Sequence, residues 1–163
     1  MAFVVEDGSG LPGANSYTSL AEANAFHADR GNAAWTGSDD VKQAALVRAA
    51  DYIEQTYGGR WKGQRLTDDQ ALEWPRTVTA GIPKALKNAV CALALEGIAG
   101  TNLNPTQGRA IKREKADVIE TEYMDNAAPG PQRPAIDGAL LATGWLNGTG
   151  GYGVPANGKV VRV

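Results

Sequence analysis

From Ala89 to Leu95 every residue is apolar: Ala, Val, Cys, Ala, Leu, Ala and Leu. A surface helix would show a polar stripe over those two turns, and a helix apolar all round is enclosed all round. The run is too short to span a bilayer, which needs about 20 apolar residues. Pro83 suits a first helical turn, where its missing N–H has no helical partner in any case. Gly97 and Gly100 mark the end of the segment. A chain built on such a stretch, residues 85–99, is mainly α: a small helical bundle around a buried central helix.

The length of 163 residues corresponds to one domain with a proper core. A net charge of −2 implies no strong polyelectrolyte partner. Cys91 lies inside the apolar run and reads as a small buried hydrophobe rather than a reactive thiol. The opening residues lack the basic flank of a secretory leader and turn acidic at Glu6, which fits a reducing cytoplasm.

Helix signals flank the central stretch. Ser19 and Glu22 have capping-box spacing, so a first helix is expected from there to about Arg30, stopped by Gly31. His27 near its end has no Cys, His or carboxylate cluster around it and reads as a surface or helix-end residue, not a ligand. Ser38, Asp39 and Asp40 offer a cap and negative charge to a second helix running to about Tyr57. Its inward face is expected to carry Ala45, Leu46, Ala49, Tyr52, Ile53 and Thr56. Gly58 and Gly59 should end it. Phe3, Val4 and Val5 form a short β-like run before a turn at Asp7–Gly10.

Residues 60–79 form a polar connection that nonetheless holds Trp61 and Trp74. Large aromatics in a loop pin it to a core, and Pro75 forces Trp74 out of helical geometry. Arg60, Lys62 and Arg65 are candidates to face a nucleic-acid backbone; the alternative is a solvated loop or ion pairs with Asp68 and Asp69.

Beyond the central helix, residues 109–123 alternate and carry β-branched and aromatic side chains, so a β-hairpin is expected at about 109–124. One arm is basic (Arg109, Lys112, Arg113, Lys115) and the other acidic (Glu120, Glu122). Such pairs contribute a few tenths to about 1 kcal/mol each, within one chain or between two. A short last helix is expected from Pro134 through Leu140 and Leu141. Residues 1–145 thus form a helical domain that includes the hairpin, and residues 146–163 a Gly-rich, extended C-terminal arm. Its strand-like tip, with Val160, Val161 and Val163, is suited to joining the sheet edge of another subunit.

Chemistry is sparse. One His cannot serve both a triad and a metal site, and the Gly-rich stretches lack a Gly-Lys-Ser/Thr ending. Glu96, the one acid near the apolar run, reads as a helix-end residue turned to solvent rather than a buried general acid. No enzymatic activity, catalytic residue, metal or cofactor is expected.

Several segments together carry a resemblance. They are Asn15-Ser16-Tyr17, Trp35 with Ser38-Asp39-Asp40, residues 45–53, the run Gln70-Ala71-Leu72-Glu73-Trp74-Pro75-Arg76, and Lys112-Arg113-Glu114-Lys115. From about Asn15 to Tyr123 the chain resembles phage and prophage proteins labelled DnaT-like single-stranded-DNA-binding. Those in turn resemble the head–tail connector, or adaptor, proteins of tailed bacteriophages. The resemblance implies a structural ring of about twelve copies in the virion neck, below the portal protein and above the next neck or tail-completion protein. DNA would pass non-specifically through its lumen, lined by Arg60, Lys62 and Arg65, with no membrane involved. The hairpin charges and the arm valines would then be subunit contacts. The other reading is a DnaT-like single-stranded-DNA-binding replication accessory protein.

Overall fold

The computed structural model describes residues 2–104, 111–115, 120–123 and 133–147, with backbone only for 111–115 and 120–123. Four α-helices make up the body: α1 (Leu20–Ala28), α2 (Asp39–Tyr57), α3 (Lys84–Ile98) and α4 (Pro134–Leu141). The Ser19–Glu22 capping box is complete, each side chain accepting from the other's backbone N–H. Ser38 caps α2 by accepting from the Val41 N–H. A 3₁₀ turn, Gly58–Arg60, prolongs α2 where the glycine pair was expected to end it. Pro83 sits one position before α3, and Gly100 turns the chain away at φ +84° while the Thr101 N–H caps Glu96 O at 3.0 Å.

The helix α3 packs against α1, α2 and α4. Its Leu86, Ala89, Val90, Cys91, Leu93 and Ala94 are buried, and no residue from Ala85 to Ile98 is exposed. Ala92 and Leu95 are only half-buried, so the enclosure of the apolar run is incomplete among the described residues. Against it α2 turns Ala45, Leu46, Ala49, Ala50, Tyr52, Ile53 and Tyr57. Thr56, expected on this face, is exposed, and Tyr57 takes the inward place one residue later. An aromatic ring there buries far more apolar area than a threonine methyl, and its hydroxyl reaches Asp137 of α4 at 2.6 Å.

At the start of α4, the Arg133 guanidinium lies 4.6 Å above the Tyr52 ring, 3.0 Å from the Glu96 carboxylate, and donates to Leu103 O. Glu96 is therefore a tether between α3 and α4, although its carboxylate does keep contact with solvent. Residues 3–5 form no strand; Val5 makes a single parallel bridge with Ser16. The Glu6 carboxylate is buried and accepts from the N–H groups of Gly8, Gly10 and Leu11 at 2.8–2.9 Å. That cradle needs Gly10 at φ +83°, and a Cβ there would meet Thr67 Oγ1 at 2.8 Å.

Of the expected hairpin, the backbone of Ile111–Lys115 pairs antiparallel with Glu120–Tyr123, with a register shift between Ile111 and Arg113. The bend, the flanks and every hairpin side chain lie outside the described residues, as do residues 148–163 of the arm.

Candidate nucleic-acid interface

The basic loop is held from beneath by the run Gln70–Arg76. The Gln70 side chain is buried, donates to Leu72 O and Pro75 O at 2.6 and 3.1 Å, and accepts from the Thr67 N–H. Trp74 is fully buried ahead of a cis peptide bond to Pro75. Its backbone N–H donates to the Tyr17 hydroxyl, which in turn donates to the Glu54 carboxylate. The other Glu54 oxygen accepts from the Glu73 N–H at 2.8 Å. Burial pushes Glu54 above the usual carboxylate range, and burial together with the Glu54 charge pushes the Tyr17 hydroxyl well up.

Arg76 then fixes the loop itself. Its guanidinium is buried and donates to Lys62 O at 2.9 Å and to Gly63 O at 2.6 Å, and pairs with the Glu73 carboxylate. One planar fork thereby holds the Lys62 and Gly63 carbonyls of the loop together. Trp61 is 5% exposed, edge-to-face with Trp74 at 5.6 Å and beside Tyr57. The ring that stands amid the cations in the sequence is thus core, because edge-on and tilted packing against two other aromatics removes it from water.

The three cations differ. Arg60 is half-buried; its guanidinium lies 5.5 Å above the Tyr57 ring and reaches Asn147 O at 3.4 Å. Lys62 is exposed, and its Nζ donates to Gly144 O at 2.9 Å. Arg65 is exposed. None of the three forms an ion pair with Asp68 or Asp69 among the described residues. Backbone bonds from Lys62 N to Trp145 O and from Asn147 N to Arg60 O, both 2.8 Å, stitch the loop to the root of the arm. Leu146, between them, is buried opposite Trp61. The structure therefore brings together two features more than 80 residues apart, the basic loop and the start of the C-terminal arm. No local signal in the sequence announces this, because the ties run through backbone carbonyls that every residue possesses.

The other candidate residues, Arg109, Lys112, Arg113, Lys115, Glu120, Glu122, Val160, Val161 and Val163, have side chains outside the described residues. His27 is at a helix end as expected but is not on the surface: it is 2% exposed and stacked on Trp35 at 4.2 Å. Desolvation holds it below the usual histidine value. Its Nδ1 meets the Asn32 amide at 2.9 Å, and its Nε2 is buried with no partner. Cys91 is buried, and burial pushes its thiol up to about 11. No group of three His, Cys, Asp or Glu placed to hold a metal occurs among the described residues, and no described helix is long and apolar enough to cross a membrane.

Every aromatic side chain among the described residues is buried or half-buried. Among the described residues the interface therefore offers cations to phosphates but no fully exposed ring on which a base could stack. Comparison with known proteins adds one finding: a family model described as "Putative DnaT-like ssDNA binding protein" matches residues 1–163, the whole chain. No curated protein and no solved structure matches it.

Proposed function

The chain belongs to the DnaT-like ssDNA binding protein family, and on that premise we propose that it binds single-stranded DNA through phosphate contacts at the 60–65 loop. The whole-chain family match carries this reading. The loop supports it: Lys62 and Arg65 stand exposed on a segment that Arg76 makes rigid. Without stacking, such binding is weak and electrostatic. Two or three phosphates neutralised give a salt slope of about −1.4 to −2.1 in log K against log salt. Fluorescence anisotropy of a labelled oligothymidine between 50 and 200 mM salt tests this. Saturable binding with that slope, weakened by Arg65→Glu, is expected; a flat titration at the lowest salt refutes it.

One observation favours a second reading, the ring-forming head–tail connector in the neck of a tailed phage virion. The described surface has no exposed aromatic, which suits a lumen wall that lets DNA pass better than a groove that grips single strands. Twelve weak loops around one lumen would add up electrostatically. In this reading the portal protein and the next neck or tail-completion protein are the partners. Native mass spectrometry separates the two: a closed ring that does not saturate with oligonucleotide supports the connector, and a monomer that binds removes it.

A further inference from the structure

Along the first half of α2, on the side away from α3, runs an open groove of ≈ 680 Å³. Phe3, Val41 and Val47 line it with apolar side chains, and Val41 is 46% exposed. Asp40 and Asp51 stand toward its two ends with one cation, Arg48, between them, and Asp39 precedes it in the first turn. Neither Asp40 nor Asp51 pairs with a cation among the described residues. An apolar strip open to water inside a net acidic rim suits a short extended segment that is both apolar and basic.

We propose that residues 158–163, Gly-Lys-Val-Val-Arg-Val, seat in this groove within their own chain, running antiparallel to α2. Spacing supplies the register. In an extended segment Lys159, Val161 and Val163 share one face at steps of about 6.6 Å. Along α2, Asp51 to Val47 and Val47 to Val41 are about 6 and 9 Å of rise. Lys159 therefore comes to Asp51, Val161 to Val47 and Val163 to Val41, while Arg162 is long enough to reach Asp40 at the rim. The linker covers the distance. The arm departs from Asn147, whose N–H bonds to Arg60 O just beyond the C-terminal end of α2. From there to Asp51 is about 9 Å of helix rise and one helix diameter of about 10–12 Å, roughly 20 Å in all. The eleven residues 148–158 span about 36 Å fully extended and about 17–20 Å relaxed, so they arrive without being stretched. A linker matched to its span holds the segment at a millimolar effective concentration, about a thousandfold above a second copy at micromolar concentration. That ratio selects the chain's own groove. The docked segment covers Val41 and keeps its valines off other sheet edges until a competitor displaces it. DNA binding at the 60–65 loop neither requires nor excludes this docking, and anisotropy tests it separately.

Disulfide trapping in the 163-residue chain tests the docking. Val41→Cys and Val163→Cys are introduced together, Cys91 being too buried to compete, and the protein is oxidised with oxidised glutathione at micromolar concentration. The expected product is an internal disulfide in a monomer, read by intact mass, formed at a rate independent of protein concentration. The control pair is Leu66→Cys with Val163→Cys. Leu66 is the other open hydrophobic position, 48% exposed, on the loop that holds the root of the arm. A tip without a seat would meet both positions alike, so the control should close at least about tenfold more slowly. Adding Lys159→Glu and Arg162→Glu to the Val41 pair should slow its closure by about tenfold at low salt, and by less at high salt. Equal rates for the two pairs, a covalent dimer in place of the monomer, or closure indifferent to the charge reversal each overturns the proposal.

Discussion

Replacing Arg76 with alanine isolates the contribution of the side chain that organises the basic loop. The guanidinium gives two well-formed charge-assisted bonds, to Lys62 O and Gly63 O, and a pair with Glu73. Hydrogen bonds to charged groups contribute about 1.5–3 kcal/mol each. Lys62 and Gly63 lie in exposed positions, so their freed carbonyls can rehydrate, and the lower end applies: about 3 kcal/mol for the two. The Glu73 side chain is 27% exposed, and solvent screening limits its pair to roughly 0.5–1 kcal/mol. The total is about 3–4 kcal/mol, or a fall in Tm of roughly 6–16 °C at this chain length. Urea unfolding followed by tryptophan emission measures it, since Trp61 and Trp74 flank the site. Hydrogen exchange locates it: protection should collapse at the Lys62 and Asn147 amides, which bond to Trp145 O and Arg60 O, and persist in α3. Arg76→Lys should recover about half the loss. A change below about 1 kcal/mol for Arg76→Ala, or protection lost evenly across the body, would refute the view of Arg76 as the loop's anchor.

Three further outcomes are expected. Tyr17→Phe leaves the Trp74 N–H unsatisfied and Glu54 short of a donor, and should cost about 1–3 kcal/mol in urea unfolding; a neutral result contradicts the buried network. The folded state holds His27 below its unfolded value near 6.5, so the unfolded chain binds the extra proton, and the His27 contribution is complete above that value and lost as pH falls below it. Stability referenced to His27→Gln should therefore fall from pH 7.5 to 5, and an NMR titration midpoint at or above 6.5 would reverse the sign. Cys91, buried with its thiol raised to about 11, should resist a disulfide reagent at pH 8 in the native protein and react at once in urea; rapid native labelling would place it at the surface.

Local signals announce the helices well because their causes are local. The Ser19–Glu22 box, the Ser38 cap and the spacing of Ala45, Leu46, Ala49 and Ile53 each act within a turn or two of chain. The apolar run Ala89–Leu95 likewise determines that something must enclose α3, whatever the partner. Where expectation and structure part, the cause is a side chain whose partner is remote. His27 looked like a surface residue because it stands at the end of its helix beside Asp29 and Arg30, yet Trp35 covers it from another segment. Arg60 and Lys62 looked free for a phosphate, yet each reaches a carbonyl more than 80 residues away. Charge and hydropathy patterns record what a residue can bond, whereas the carbonyl it meets belongs to every residue alike. Sequence alone therefore determined the helices and the need for a core; which polar groups close upon one another was decided only when the loops folded back onto that core.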